Sequence, residues 1–159
     1  MSAAAAALIA VSLLGEPGIT VEDHECLAMN IYHEARGENV EGQIAVAHVT
    51  MNRVEHEYFP DNVCDVVYQA RYNNAGNPIR HQCQFSWYCD GRSDRIHDEQ
   101  AWQQAREIAF QVMTGEIEDN TNGATFYHSK YVSPQWIDHM EVSTAIGIHI
   151  FYVWDGRWI

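Results

Sequence analysis

The sequence predicts an α+β fold with a helical core and a small antiparallel sheet towards the C-terminus. Three long segments before residue 115 carry apolar residues at helical spacing, whereas short runs rich in β-branched and aromatic residues follow Gly123. Helices that precede strands in this way are typical of α+β domains. The chain has 159 residues, 47% of them hydrophobic, which suffices for one domain with a core but not for two. We therefore expect residues 20–159 to form a single domain.

Residues 1–14 are mostly Ala, Leu, Ile and Val. No basic residue precedes this run, which is unlike a secretion signal, and the run is shorter than the roughly 20 residues that span a bilayer. The sequence Gly-Glu-Pro-Gly at 15–18 then interrupts it. We expect residues 1–19 to be an N-terminal apolar segment that packs as a short helix on the domain or on a partner, without membrane insertion. A degenerate export or anchoring segment is the alternative.

The first predicted helix begins after Thr20, whose hydroxyl can cap it, and carries Glu22 and Asp23 in its first turn. Gly37 is expected to end this helix. One helical face is apolar, with two more apolar residues beside it: Leu27, Ile31, Ala35, Ala28 and Tyr32.

A second helix is predicted over about 41–54, with Asn39 as its cap. Its inward face is expected to hold Ile44, Ala47 and Met51. A turn at 59–62 and a short helix over about 63–68 follow.

The last predicted helix runs over about 98–114 and ends at Gly115. Its apolar stripe consists of Trp102, Ala105, Ala109 and Val112. Residues 69–97, which precede it, are rich in Asn, Gly, Arg, Gln and Ser and show no clear periodicity. A stretch of that kind is usually functional or disordered, and the embedded sequence 83–89 favours a functional loop. Three strands are expected at 124–128, 141–145 and 148–154.

Four cysteines occur without a CxxC pair or a Cys/His spacing that fits zinc, so we expect no structural zinc. Cys64, Cys83 and Cys89 all lie in the central, loop-rich part of the chain. One disulfide among these three is expected if the protein works outside the cytoplasm. Three buried thiols are the alternative, and the sequence does not choose the pairing.

The formal net charge is −13, with only nine Lys and Arg residues spread along the chain. This balance argues against binding to nucleic acid and against electrostatic recruitment to anionic membranes. An anionic ligand would have to be held by hydrogen bonds and stacking in a cleft. The alternative interpretation of the net charge is that it only keeps the protein soluble.

The sharpest local feature is the segment 31–38, Ile-Tyr-His-Glu-Ala-Arg-Gly-Glu. It places Glu34 in the last turn of an apolar helix, where partial burial and the C-terminal end of the helix dipole both disfavour its charged form. A carboxylic acid that keeps its proton near neutral pH is what a glycosidase acid requires. Arg36 is two residues away and should point to a different face. The alternative is an exposed residue at a helix end; the segment is not a HExxH zinc motif, because position 37 is Gly.

This segment and several later ones resemble the SleB/CwlJ-type, spore-cortex-lytic family of cell wall hydrolases. The matching segments occur in the same order over about residues 24–153: 32–38, 41–47, 52–54, 59–60, 63–67, 84–87, 123–125 with 127–128, and 147–152. The positions of Cys64, Cys83 and Cys89 resemble those of members from Gram-negative bacteria and their phages.

The resemblance implies a lysozyme-like helical core and makes residues 20–159 the catalytic domain. It also implies cleavage of peptidoglycan between N-acetylmuramic acid and N-acetylglucosamine, with Glu34 as general acid and then base of a lytic transglycosylase. Such an enzyme needs no second carboxylate, and none of Glu38, Glu41 and Asp90 stands out as one. A hydrolytic muramidase of the lysozyme type, a non-catalytic wall-binding or virion subunit, and a metallohydrolase suggested by nine His are the alternatives.

Substrate contacts are expected from the loop around Gln84 and from aromatic residues. Gln84 and Ser86 are candidates to hydrogen-bond the N-acetyl group or the developing charge. Five aromatic residues could form walls on which sugar faces stack, or could belong to the core: Phe85, Trp87, Tyr127, Tyr131 and Trp136. His128 and His149 fit structural roles better than catalytic ones, and the chemistry requires no metal and no cofactor.

The resemblance implies peptidoglycan as partner and action on the wall in the periplasm or elsewhere outside the cytoplasm. The chain shows no wall-binding repeats and has an Ala-rich start, which speaks against a role in germination. A phage endolysin, a virion-associated wall enzyme that contacts virion proteins, or a bacterial remodelling enzyme would each suit it.

Overall fold

The computed structural model describes residues 19–156. The predicted N-terminal apolar segment, residues 1–19, lies outside the described residues apart from Ile19.

Helix α1, Val21–Ala35, begins and ends as its sequence predicts. The Thr20 hydroxyl accepts a hydrogen bond from the Asp23 backbone N–H at 3.0 Å, which caps the first turn. The five apolar residues of the predicted face are all buried: Leu27, Ala28, Ile31, Tyr32 and Ala35. The helix therefore presents one continuous apolar face to the core.

Helix α2, Val40–Glu55, is buried on more than the one face that was predicted. Asn39 caps it by accepting a hydrogen bond from the Gly42 backbone N–H at 2.9 Å. Ala47 faces the main core, whereas Ala45 and Val49 pack into a second cluster with the C-terminal sheet. A helix covered on two sides buries residues around most of its circumference, which explains why a single inward stripe described it incompletely.

Helices α3, Val63–Val67, and α4, Glu99–Met113, complete the helical core. Asp98 caps α4 through a 3.0 Å hydrogen bond from the Ala101 backbone N–H. The start of α4 is also fixed from α1, because the Tyr32 hydroxyl accepts the backbone N–H groups of His97 and Asp98 at 3.1 Å each. The predicted bounds of both helices are confirmed to within one residue.

The prediction of an irregular loop over residues 69–97 is wrong in part. The segment contains an antiparallel hairpin of β1, Ala70–Tyr72, and β2, Pro78–Cys83, followed by a short 3-10 helix, Ser86–Cys89. The hairpin pairing is irregular, and His81 has a positive φ of 63°. A bulge of this kind breaks the alternation of side chains on which strand prediction depends.

The C-terminal sheet has the order β3-β5-β4, with β3 at Phe126–Ser129, β4 at Glu141–Ile146 and β5 at His149–Val153. All pairs are antiparallel, and each strand lies within two residues of its predicted bounds. A 3-10 helix at Gln135–His139 was not predicted. The α+β class, with a helical core and a small C-terminal sheet, is thus confirmed.

All four cysteines form disulfides. Cys83 pairs with Cys89, which confirms one disulfide within the central stretch and rules out three buried thiols. Cys64 pairs with Cys26 instead, linking α3 to α1 across 38 positions of sequence. Pairing over such a distance depends on the tertiary fold and cannot be deduced from spacing.

Within residues 19–156, no helix is long and apolar enough to cross a bilayer.

Candidate active site

Glu34 lies in a cleft of about 190 Å³ that four separate parts of the chain enclose. Its side chain comes from the last turn of α1, and Arg53 enters from the C-terminal end of α2. The other lining residues come from β3 and from the loop after β2: Tyr127, Gln84, Phe85 and Ser86. Helix packing thus carries the carboxyl into a cleft that the loop after β2 and the C-terminal sheet also line.

Burial raises the pKa of the Glu34 carboxyl, as the sequence predicts. Two neighbours act in the opposite direction, the Tyr127 hydroxyl by hydrogen bonding and the Arg53 guanidinium by its charge, but burial has the larger effect. Arg36 does not neutralise Glu34, because its guanidinium lies 4.8 Å from the centre of the Tyr32 ring and donates to the Tyr32 carbonyl oxygen. Glu34 therefore favours its protonated form more than a solvated glutamate does.

Arg53 is a site residue that the sequence analysis missed. It is 4% exposed, and its Cζ lies 5.1 Å from the centre of each of three phenylalanine rings, Phe59, Phe85 and Phe126. Its Nε donates to the Thr125 carbonyl oxygen at 2.7 Å, whereas the buried Nη1 has no hydrogen-bond partner among the described residues.

Burial lowers the pKa of Arg53 to about 10, and the nearby Tyr127 and Glu34 act in the opposite direction. At neutral pH the guanidinium is therefore still a cation, enclosed by aromatic rings beside the acid. The signal that could have revealed it is an arginine at helical spacing from the apolar residues Val46 and Val49, since a fully buried arginine is rare without a partner.

Tyr127 presents a buried hydroxyl to the Glu34 carboxyl. The geometry of the contact between the Tyr127 hydroxyl and the Glu34 carboxyl falls outside that of an ordinary hydrogen bond. The hydroxyl is nevertheless close enough to lower the pKa of the carboxyl. Contacts of this kind are often long in an unliganded enzyme and tighten when substrate binds. Burial and the adjacent Glu34 raise the pKa of Tyr127 well above its ordinary value, so the phenol remains a hydrogen-bond donor.

Gln84, Phe85 and Ser86 form the cleft wall opposite the helices. The Cys83–Cys89 disulfide bounds this short segment, and the Gln84 backbone N–H donates to the Gln69 carbonyl oxygen at 2.9 Å. The wall is therefore anchored on both sides, which restrains the backbone that carries the Gln84 amide and the Ser86 hydroxyl.

Three of the eight predicted site residues do not line the cleft. Trp87 is 7% exposed, stacks on His33 at 4.5 Å and donates its indole N–H to Asn30, so it supports the wall from the core and has no free face for a sugar. Tyr131 is 74% exposed beyond the end of β3. Trp136 packs against Phe126, and its sugar-binding role, like that of Tyr131, stays a prediction.

The two histidines of the sheet lie near Tyr127 but outside the cleft lining. His128 has partners for both ring nitrogens, the Ser129 carbonyl oxygen and the Tyr152 hydroxyl, each at 2.7 Å, which agrees with the structural role expected for it. His149 is buried against the Tyr127 ring, at 5.1 Å between centroids. In the part of the chain that the structure describes, no three His, Cys, Asp or Glu side chains are grouped as metal ligands would be.

Glu34 is the single acid among the six described residues that line the cleft. The other acids considered from the sequence, Glu38, Glu41 and Asp90, are not part of this lining. The arrangement offers one proton donor, one fixed cation and one phenolic donor around the same point. Such a set can protonate a leaving oxygen and then stabilise the resulting carboxylate.

Comparisons with known proteins agree with this fold. Residues 37–152 match the family described as Cell Wall Hydrolase. The chain is 33% identical over 135 residues to a spore cortex-lytic enzyme of Halalkalibacterium halodurans, covering 84% of this chain and 36% of that protein. It is 30% identical over 137 residues to a spore cortex-lytic enzyme of Bacillus subtilis, covering 84% and 38%. The chain thus spans less than half the length of the curated relatives it matches.

Two solved structures share the fold. The catalytic domain of the germination-specific lytic transglycosylase SleB from Bacillus anthracis superposes with a TM-score of 0.67 at 28% identity, over 87% of this chain and 99% of that one. The catalytic domain of the Bacillus cereus SleB protein gives the same TM-score and identity, over 87% and 94%. The family match begins at residue 37, just after Glu34, so the role of Glu34 rests on the geometry described above.

Proposed function

Because the chain belongs to the cell wall hydrolase family, we propose that it cleaves peptidoglycan between N-acetylmuramic acid and N-acetylglucosamine as a lytic transglycosylase. The observation that carries the proposal is Glu34, whose pKa burial raises and which is the single acid among the described residues that line the cleft. The names of the relatives, spore cortex-lytic enzyme and lytic transglycosylase, support the same reaction. In this proposal residues 20–159 act as one catalytic domain.

In the first step the neutral Glu34 carboxyl donates its proton to the glycosidic oxygen. The bond between this oxygen and C1 of N-acetylmuramic acid breaks, and the N-acetylglucosamine hydroxyl leaves. An acid poised to hold its proton near the working pH is what such a step requires. Burial in the cleft supplies that property.

In the second step the Glu34 carboxylate removes the proton from the C6 hydroxyl of the same muramic acid. O6 then bonds to C1, which closes a 1,6-anhydro ring and returns the proton to Glu34. No water is consumed, so no second carboxylate is needed to activate one. A cleft in which Glu34 is the single acid within residues 19–156 suits these two steps.

Arg53 and Tyr127 are needed between the two steps, when Glu34 is a carboxylate. Both lower the pKa of Glu34 and so stabilise the anion that proton donation creates. Because packing within the protein fixes both side chains, neither has to reorient during the reaction, as solvent molecules would. Gln84 and Ser86, which also line the cleft, would hydrogen-bond the N-acetyl groups of the substrate.

The test is digestion of purified peptidoglycan followed by mass spectrometry of the released muropeptides. We expect anhydro-muropeptides from the wild type and a loss of roughly 100- to 10,000-fold in release rate for Glu34→Gln. Glu41→Gln is the matched control, because it makes the same chemical change outside the cleft. Equal rates for Glu34→Gln and wild type would overturn the assignment of Glu34.

A hydrolytic muramidase is the second candidate. The buried Arg53 Nη1 and Tyr127 hydroxyl have no partner of ordinary hydrogen-bond geometry within residues 19–156, and such groups can hold a water molecule. Products with reducing ends in the same experiment would establish hydrolysis. Retention on sacculi without any release would instead indicate a non-catalytic wall-binding subunit.

We place the reaction outside the cytoplasm, since two disulfides persist best in an oxidising compartment. The finer proposal is a phage-encoded enzyme, either an endolysin or a virion-associated enzyme. It is supported by the resemblance of the cysteine positions to those of Gram-negative and phage members. Mass spectrometry of purified virions would separate the two forms, because only a virion-associated enzyme is recovered in particles.

A further inference from the structure

A second cavity, of about 170 Å³, lies on the β1–β2 hairpin next to the Glu34 cleft. Gln84 lines both cavities, so the two are neighbours across a single side chain. The remaining lining comes from the hairpin and the residue before it: Gln69, Ala70, Arg71 and Gln82. Each volume is below the roughly 300 Å³ at the small end of ligand pockets, so one extended ligand is expected to occupy both.

The lining of the second cavity includes one residue with an unpaired acceptor and one with a cation. The Gln69 Oε1 atom is buried and has no hydrogen-bond partner among the described residues. A buried acceptor without a donor is unfavourable, and its retention calls for an explanation such as a missing ligand. Arg71 supplies a guanidinium that can pair with a carboxylate.

The backbone of the hairpin departs from regular geometry at this cavity. Ala70 pairs with Cys83 but Tyr72 pairs with Pro78, which leaves extra residues on β2 between the two pairs. His81, with φ of 63°, lies in this bulge directly before the lining residue Gln82. Bulges re-aim side chains next to active sites, and strained backbone of this kind often marks a functional position.

Positive charge gathers in the hairpin and in the segment that follows it. Residues 69–97 contain four of the nine Lys and Arg residues, Arg71, Arg80, Arg92 and Arg95, but only two of the 22 acids. The segment is therefore net positive in a chain of net charge −13. An anionic ligand repelled by the whole protein would be attracted locally at this wall.

We propose that this second cavity binds the peptide stem of the muramic acid unit next to the scissile bond. The stem brings a carboxylate for Arg71 and amide N–H groups for Gln69 Oε1. A sugar N-acetyl group would supply the N–H but no charge, which is why the observations favour the stem. The inference rests on the proposed function, since it assumes that a muropeptide glycan lies in the adjacent cleft.

The test compares glycan fragments that carry peptide stems with the same fragments after an amidase has removed the stems. Binding is measured by calorimetry in the Glu34→Gln background, and kcat/KM in the otherwise wild-type enzyme. We expect stem-bearing fragments to bind at least tenfold more tightly than denuded ones. Arg71→Gln should abolish this preference and leave binding of denuded fragments unchanged.

Arg92→Gln is the matched control, because it removes the same charge from the same segment outside the cavity lining. Gln69→Leu is a second variant, expected to weaken stem binding several-fold without lowering the melting temperature. Equal affinity for both fragment types, or an equal loss in Arg92→Gln, would overturn the inference.

Failure of the inference can be told from failure of the proposed function. Cleavage of both fragment types with the same kcat/KM would leave the reaction standing and remove the stem site. Preferential binding of stem-bearing fragments without any cleavage would leave the stem site standing and remove the reaction.

Discussion

Two buried tyrosines show how differently the helical core and the cleft wall treat polar groups. The Tyr32 hydroxyl, on α1, accepts hydrogen bonds from two backbone N–H groups that begin α4. The Tyr127 hydroxyl, on β3, is equally enclosed but has no partner of ordinary geometry among the described residues. Asn30 follows the first pattern, since it pairs with Thr50 and Trp87, whereas Arg53 Nη1 follows the second.

We interpret this difference in hydrogen bonding as a difference in role. Buried polar groups that are paired stabilise the fold, whereas those left unpaired in the cleft are available to a ligand. Buried polar groups in native proteins are nearly all paired, and the exceptions require an explanation. Of the seven unpaired buried side-chain atoms within residues 19–156, two belong to Arg53 and Tyr127, which line the cleft that contains Glu34, and a third belongs to Gln69, which lines the neighbouring cavity. The other four belong to residues that line neither cavity. Substitutions in the helical core should therefore lower stability, and those in the cleft should lower activity.

Removal of the two disulfides should produce the largest effects that test this comparison. Cys26–Cys64 closes a long loop between α1 and α3, and the loss of its chain-entropy effect in a Cys26→Ser/Cys64→Ser variant should lower the free energy of unfolding by roughly 4 kcal/mol. The kcat/KM of the folded fraction should be unchanged. Urea denaturation and muropeptide release at low temperature measure the two effects.

Cys83–Cys89 is the matched case in the cleft wall. It closes a loop over only six positions, so a Cys83→Ser/Cys89→Ser variant should lose about 2 kcal/mol of stability. Because Gln84 and Ser86 lose their fixed position, kcat/KM should fall roughly tenfold or more. If the two double variants lost activity equally, the separation of the two regions would be disproved.

Tyr127→Phe should reduce kcat by roughly 100-fold, because it removes one preorganised donor to the Glu34 carboxylate. The melting temperature should stay the same or rise, since in the unliganded protein this buried hydroxyl makes no hydrogen bond of ordinary geometry among the described residues. Muropeptide release rates and calorimetric melting give both numbers. A fall in melting temperature with full activity would assign Tyr127 to the fold instead.

Tyr32→Phe makes the same chemical change in the helical core. It leaves the His97 and Asp98 backbone N–H groups without their acceptor, so the free energy of unfolding should fall by about 1–3 kcal/mol. Activity per folded molecule should match the wild type. Loss of kcat in this variant as large as in Tyr127→Phe would contradict the comparison.

Among these variants, Glu34→Gln should give the smallest change in the free energy of unfolding. The change is a gain in stability that depends on pH. Burial raises the pKa of Glu34 in the folded state, so the wild-type fold binds the proton more tightly than the unfolded chain does. This contribution is full below the ordinary glutamate pKa and is lost as pH rises through the raised value. The variant should therefore gain stability over wild type with rising pH, whereas a gap independent of pH would count against burial as the cause.

The sequence was sufficient for the helices, the C-terminal strands and most of the cleft. Caps at Thr20, Asn39 and Asp98 and an apolar period fix the helices locally, and the end of α1 places Glu34 without long-range information. The ordered motifs of the family resemblance supplied Gln84, Phe85, Ser86 and Tyr127.

What the sequence could not supply depends on contacts between distant segments. Arg53 becomes a site residue because three rings from separate parts of the chain enclose it. The bulged hairpin lacks the alternation that identifies strands, and the Cys26–Cys64 pair exists because α1 and α3 pack together. Trp87 looked like a sugar platform from its motif, whereas packing turns it towards Asn30.

The central claim is that the Glu34 carboxyl holds its proton because the cleft excludes water from it. Carbon-13 NMR of the glutamate carboxyl groups during a pH titration, with the Glu34 resonance identified by its absence in Glu34→Gln, tests this directly. We predict a titration midpoint for Glu34 clearly above the value of about 4.3 that a solvated glutamate has. A midpoint at or below that value would contradict the account, because the carboxyl would then have no proton to give at the pH where the wall is cleaved.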